Sequence, residues 1–243
     1  MTDLTGRVAL VTGGSRGIGR AIAISLADAG AAVAVNYREK AVEAASVVEA
    51  IRKKGGRAMA IAADVSQADA VKKMVASVGR ELGAVDVLVN NAGIGIIKSV
   101  EELTEEDFDI TISVNLKSAF LCTQAVVPGM RQRKWGRIVN ISSGAARGAG
   151  GIGPHYNASK AGMEGLTRGY AARLVKEGIT VNAVAPSLIE TDMVKSGLAS
   201  SPARIPLGRF GTSEECAQVV MMLVRTEYMT GQTVALSGGM SFL

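Results

Sequence analysis

Apolar residues along this chain come in short blocks separated by longer amphipathic stretches. Blocks such as Val8-Ala9-Leu10-Val11 and Val33-Ala34-Val35 are too short for helices and too continuous for strands with one wet face. They read as strands buried on both sides. Strands are predicted at 8–12, 33–37, 58–62, 85–90, 137–141, 180–184 and 233–236. Between them, apolar positions recur at helical spacing, which predicts helices over 17–29, 40–54, 68–82, 105–133, 155–177 and 213–226. Gly30, Gly55, Gly83 and Gly178 stand where four of these helices should stop. Strict strand–helix alternation predicts a seven-stranded parallel sheet, doubly wound with helices on both faces, in one α/β domain over 1–243. Residues 187–211, with Pro202 and Pro206, show no period and are expected to form a loop or lid.

Composition changes this picture little. A length of 243 residues suits one such domain. The net charge of +5 would serve nucleic acid or a small anion, but the basic residues are scattered and aromatic residues make up only 4%. With so few rings to stack bases on, a nucleic-acid role is not expected. One histidine, His155, and two isolated cysteines, Cys122 and Cys216, offer no metal-ligand spacing and are expected to leave buried, reduced thiols. No uninterrupted apolar run approaches the roughly 18–20 residues of a membrane helix, and the start Met1-Thr2-Asp3 lacks the pattern of a signal peptide. A cytoplasmic protein without a membrane partner is therefore expected.

The first strand runs into Thr12-Gly13-Gly14-Ser15-Arg16-Gly17-Ile18-Gly19 and then into a helix. Glycines at such a turn bring backbone N–H groups against a pyrophosphate at the positive end of the helix dipole. A tight structural turn would use the same residues. The second strand ends in Asn36-Tyr37-Arg38 without the carboxylate that commonly accepts from an adenine ribose. Arg16 and Arg38 are placed instead to pair with a 2′-phosphate, which points to NADP(H) rather than NAD. Asp64-Val65 and Asn90-Asn91-Ala92-Gly93 end the next two strands on the same sheet edge. Asp64 has two possible roles, accepting from an adenine amino group or capping the next helix.

Tyr156 and Lys160 are four apart in a predicted helix and share a face. Lowering a tyrosine pKa by two units takes about 2.7 kcal/mol, and a cation roughly 6 Å away at an effective dielectric near 20 supplies about that. Lys160 is thus expected to tune Tyr156 as a general acid and base. Ser143, just past the fifth strand, is positioned to donate to a substrate carbonyl oxygen. His155 precedes Tyr156 directly, and one helical step of about 100° turns it away. Trp135 reads as packing or a subunit contact.

Taken together, Thr12-Gly13-x-x-x-Gly17-x-Gly19, Asn90-Asn91-Ala92-Gly93, Asn115, Ser143 and Tyr156-Asn157-Ala158-Ser159-Lys160 resemble, in order and spacing, the short-chain dehydrogenase/reductase family over the whole chain. Leu188-Ile189-Glu190-Thr191-Asp192-Met193 and the tail Gly231-Gln232-Thr233 with Ser237-Gly238-Gly239-Met240 look most like its 3-oxoacyl-acyl-carrier-protein reductases. The resemblance implies a Rossmann-type fold and NADPH-dependent reduction of a 3-oxoacyl thioester of carrier protein or CoA. It implies Tyr156 as acid/base, Lys160 as the residue that binds nicotinamide ribose, Ser143 as the group that orients the carbonyl, and Asn115 as the holder of a proton-relay water. The residues expected at the cofactor are Gly13, Ser15, Arg16, Gly17, Ile18, Gly19, Asn36, Arg38, Asp64, Val65, Asn91, Ala92, Gly93, Tyr156, Lys160, Pro186, Ile189 and Thr191. It further implies a homotetramer, with the helices of Asn115 and Tyr156 packed against their counterparts and Met240-Ser241-Phe242-Leu243 buried in another contact.

Some positions depart from the family pattern. Ser187 follows Pro186 where the family usually has glycine, and of two basic positions that would dock a carrier protein, Lys134 matches one while Glu177 stands at the other. The loop after Ser187 is also shorter than usual in that group. Two other classes compete: a reductase or dehydrogenase of other ketones and secondary alcohols, and a nucleotide-sensing regulator that has lost turnover. The intact set of Ser143, Tyr156 and Lys160 argues for an enzyme.

Overall fold

The seven short apolar blocks do pair, and every pairing is parallel. In this computed structural model, which describes residues 3–191, 194 and 201–241, the strands are β1 (Val8–Val11), β2 (Ala32–Tyr37), β3 (Ala58–Ala62), β4 (Val87–Asn90), β5 (Gly136–Ile141), β6 (Ile179–Pro186) and β7 (Thr233–Leu236). They lie in the order β3-β2-β1-β4-β5-β6-β7. The helices are α1 (Gly17–Asp28), α2 (Ala41–Lys53), α3 (Ala68–Glu81), α4 (Glu105–Ile112), α5 (Ser118–Arg133), α6 (Pro154–Leu174) and α7 (Ser213–Arg225).

Alternation along the strands explains the two layers. Ala9, Val11, Val33, Val35, Val87 and Val89 face one side, packed with Ile22 and Leu26 of α1, Val47 of α2 and Val220 of α7. Val8, Leu10, Ala34, Leu88 and Ile138 face the other, packed with Met74 of α3, Met130 of α5 and Leu174 of α6. Each such side chain contributes about 1.5–3 kcal/mol by leaving water. Cys122 and Cys216 are buried free thiols, and burial pushes each up to about 12.

Helix 105–133, predicted as continuous, is interrupted. Ser113–Lys117 winds as a π-helical turn between α4 and α5, and the extra residue in that turn re-registers the face that follows. A mean-period reading cannot see one inserted residue. The same stretch is also long and apolar enough, by length and composition, to cross a membrane, although polar residues such as Asn115 and Lys117 interrupt its apolar ones. Here α5 lies over β4 and β5 and beside α3.

The segment 187–211 is anchored at both ends. Ile189 bridges Gly211, with Glu190 N donating to Gly211 O (2.9 Å) and Gly211 N to Leu188 O (3.0 Å). Asp192, Met193 and 195–200 lie outside the described residues, as do Phe242 and Leu243. Trp135 is a packing residue, sandwiched by the guanidinium groups of Arg7 (3.8 Å) and Arg137 (4.3 Å).

Candidate active site

Strand order reverses between β1 and β4, and at such a switch point the loops leaving the carboxyl ends of the strands diverge to open a crevice. A cavity of about 1340 Å³ occupies it. Every residue expected at the cofactor lines this cavity, as do Ser143 and Ser187. Asn115 and His155 do not.

The cradle at one end is built from glycine and amide side chains. Gly13 (φ +60°) and Gly17 (φ +51°) adopt the left-handed conformation, and a Cβ on Gly19 would run into the Gly13 carbonyl and stand 2.5 Å from Asn91 Nδ2. Helix α1 begins with no side-chain cap and no acidic residue in its first turn, so its first N–H groups are left to a ligand. That is what a dinucleotide pyrophosphate requires, and the residues fit it. Arg16, at the helix N-cap, and Arg38, at the end of β2, line the same cavity with exposed side chains. Arg38 is ion-paired with Glu39 at 2.7 Å.

Two of the expected ligands are also braces. Asn36, buried at the end of β2, accepts from Gly13 N through Oδ1 (3.2 Å) and donates through Nδ2 to Ala63 O (3.1 Å), while its carbonyl takes Gly14 N (2.8 Å). Asn91 donates to the carbonyls of Thr12 and Gly13, both at 2.9 Å. Thr12 completes the brace, its Oγ1 accepting from Asn91 N and Ala92 N at 3.0 Å each. Asp64 does not cap α3, whose N-cap Gln67 has no side-chain cap hydrogen bond; Asp64 Oδ1 accepts from Ser66 N (2.9 Å) and Ser66 Oγ (2.7 Å) in the turn before the helix.

At the other end, α6 presents Tyr156 and Lys160 on one face, both buried. Lys160 Nζ lies 5.7 Å from the Tyr156 ring centroid and donates to Ile141 O at 2.8 Å. Ser143, leaving β5, hydrogen-bonds Tyr156 and accepts from Ala145 N at 3.2 Å. The two side chains share a helical face as expected, but the electrostatic expectation is corrected. Burial raises the Tyr156 pKa above its ordinary value, opposed only by the Ser143 hydrogen bond, and burial brings Lys160 down to about 8. Desolvation disfavours the charged form of each group, and it outweighs the attraction that sequence spacing suggested.

Asn115 sits in the π-helical turn behind the cavity wall. Its Oδ1 accepts from Ile94 N (2.8 Å) and its Nδ2 donates to Ile94 O (3.0 Å) and Ser159 Oγ (3.1 Å). The side chain thereby ties the loop segment following Gly93 to α6. His155 is buried, and among the described residues neither ring nitrogen has a hydrogen-bond partner. Its ring lies by Gly153, clear of the cavity.

Sequence reasoning missed Glu164, one turn beyond Lys160. Its buried carboxylate accepts from Arg147 Nε (2.9 Å) and Ser142 Oγ (3.3 Å), and Ser142 Oγ also approaches the Lys160 carbonyl (3.2 Å). The pair locks the Ser143 loop onto α6. Only the continued four-residue spacing 156, 160, 164 could have revealed it.

A dinucleotide cradle abutting a buried tyrosine, lysine and serine is the working arrangement of an oxidoreductase. Comparison with known proteins narrows the class. A family model described as short chain dehydrogenase matches residues 7–201. A 3-oxoacyl-acyl-carrier-protein reductase of Synechocystis sp. is 43% identical, covering 99% of each chain. The enzyme of the same name, FabG, from Staphylococcus aureus is 44% identical over 96% of this chain and 97% of its own. Among solved structures, a protein provisionally designated a gluconate dehydrogenase, from Agrobacterium tumefaciens, superposes with a TM-score of 0.93 at 36% identity, covering 99% of this chain and 98% of that one. The chain belongs to the short-chain dehydrogenase family and is an oxidoreductase.

Proposed function

We propose that the protein is an NADPH-dependent reductase of 3-oxoacyl thioesters. The observation that carries this reading is the convergence of Ser143, Tyr156 and Lys160 on the cavity that also holds the glycine cradle, Arg16 and Arg38. Relatives named for that reaction at 43–44% identity over nearly the whole chain support the substrate class. A reduced nicotinamide held there supplies the hydride. The chain's own residues do the rest. Ser143 holds the ketone oxygen with its hydroxyl. Tyr156 delivers the proton that completes the alcohol, and burial keeps its phenol protonated, hence a donor, at neutral pH. Lys160, with its pKa near 8, donates to the bound ribose and faces the phenoxide as it forms. Arg16 and Arg38 take the 2′-phosphate.

Carrier protein and CoA share the reacting thioester, and docking of the former is weakened here because Glu177 pairs with Arg131 at 2.7 Å. Free buried thiols suit a reducing compartment, so the reading places the enzyme in the cytosol. Self-association is part of the reading: Phe108, Ile110 and Phe120 on α4 and α5 are 40–47% exposed, an apolar surface that a homotetramer would cover.

The test is to incubate the protein with NADPH and acetoacetyl-CoA and follow nicotinamide absorbance. Turnover is expected, and replacing Arg16 and Arg38 with Ala should raise the KM for NADPH at least tenfold while sparing NADH, since two charge-assisted contacts are worth about 1.5–3 kcal/mol each. A second reading, a dehydrogenase of hydroxyl compounds, is favoured by the likeness to the Agrobacterium protein. It predicts NADP⁺ reduction with polyols and no oxidation of NADPH by any 3-oxo thioester. Tight NADPH binding with no turnover on either class would indicate a sensor.

A further inference from the structure

Ser143 opens a segment that has little of its own to hold it. Half of the residues from 144 to 153 are glycine and most of the others are alanine, so the segment carries much chain entropy and little apolar surface to bury. The turn itself is short: Ala146 N donates to Ser143 O (2.9 Å), and Arg147 N closes the turn on Gly144 O (3.3 Å). Upstream, the backbone is anchored where Ser142 N donates to Val184 O (2.7 Å). Downstream, the anchor is a side chain of α6. Glu164 Oε1 takes the Ser142 hydroxyl on the residue before Ser143, and Oε2 takes Arg147 Nε at the far end of the turn. One buried carboxylate therefore grips both flanks of Ser143. Because the Ser142 hydroxyl is shared with the Lys160 carbonyl, the same grip refers the turn to the stretch of α6 that carries Tyr156 and Lys160. Asn157 Nδ2 holds Gly148 O (3.1 Å), which fastens the loop farther out but not the flanks of Ser143.

We infer that Glu164 is a positioning residue, a buried carboxylate that sets the Ser143 hydroxyl against Tyr156 by clamping the Ser143 turn from both sides. Glu164 does not line the cavity, so it acts through Ser143 rather than on a ligand. A carboxylate suits the task because it accepts at both oxygens, whereas an amide accepts at one. The kinetic consequence rests on the reductase reading above; the clamp is a property of the chain without ligand.

Glu164→Gln keeps the shape and leaves one acceptor. In hydrogen–deuterium exchange of the apoprotein, the amides of 145–148 should exchange at least about tenfold faster in this variant, with those of β4 and β5 unchanged. With acetoacetyl-CoA and NADPH, kcat should fall about tenfold to a hundredfold, the cost of a misplaced group, while calorimetry finds NADPH affinity within about twofold. Added to Ser143→Ala, the same substitution should cost less than about twofold more, since the clamp then has no hydroxyl to place. Ser142→Ala is the milder variant should glutamine at 164 prevent folding, and it should show the same pattern with a kcat loss of about threefold to tenfold. Unchanged exchange, unchanged kcat, or losses that multiply in the double variant would overturn the inference. A wild-type chain that reduces no 3-oxo thioester would sink the reductase reading and the kinetic role with it, while the exchange measurement would still decide whether Glu164 holds the turn.

Discussion

Tyr156 and Lys160 were recognisable as a pair in one dimension, yet their protonation is a property of the folded molecule. Tyr156→Phe removes only the hydroxyl, so kcat should fall by about 10² to 10⁴ while calorimetry finds NADPH affinity unchanged; retained turnover would refute the proton-donor role. Lys160 offers a second, independent check. Its pKa is about 8 in the folded chain against an ordinary 10.5, so between those values the unfolded chain binds more protons than the folded one. Stability therefore rises with pH across that window, and the penalty for burying the ammonium is fully present below about pH 8. Thermal melts of the apoprotein from pH 7 to 10 should show the wild type gaining stability relative to Lys160→Met as pH climbs. A constant difference between the two would mean that the ammonium is not desolvated as the structure places it.

At the scale of elements, the glycine turn works because α1, the β2 end and the β4 end are braced to one another. Asn36 and Asn91 read as ligands in the sequence because strand-end asparagines on the ligand edge look alike whether they face a cofactor or a carbonyl. Their partners lie 23 and 78 or 79 residues away, beyond any local pattern. Gly19→Ala places a methyl against the Gly13 carbonyl and Asn91 Nδ2. It should weaken NADPH binding more than tenfold by calorimetry, with circular dichroism showing the helices intact. Wild-type affinity in that variant would show that the turn has slack which the packing denies. The π-helical turn was equally hidden, since one extra residue hardly alters the apolar period yet decides that Asn115 reaches Ile94 and Ser159.

For the whole molecule, alternating short apolar blocks and amphipathic helices were enough to place all seven strands, with ends shifted by one or two residues at most. Their lateral order was not written in the blocks, which would serve equally well in other parallel arrangements. Assembly is tested at this scale. Light scattering at micromolar concentration should give a species near four times 25.1 kDa, and replacing Phe108 and Phe120 together with Ser should shift it toward smaller species. A wild-type chain that stays at one protomer's mass would refute the tetramer.

What the chain determined by itself is whatever depends on near neighbours: strands from continuous apolar runs, helices from their period, the glycine turn at the end of the first strand, and Tyr156 beside Lys160 on one helical face. The tertiary structure decided what depends on partners far apart in sequence. Burial, a property of the whole packing, moved Lys160 down and Tyr156 up; Glu164 found Arg147 and Ser142 across two elements; and the Ser187 hydroxyl fills the space that a side chain at Gly144 would need only because β5 and β6 lie side by side. Desolvation and steric exclusion act through space, and no spacing along the chain encodes them.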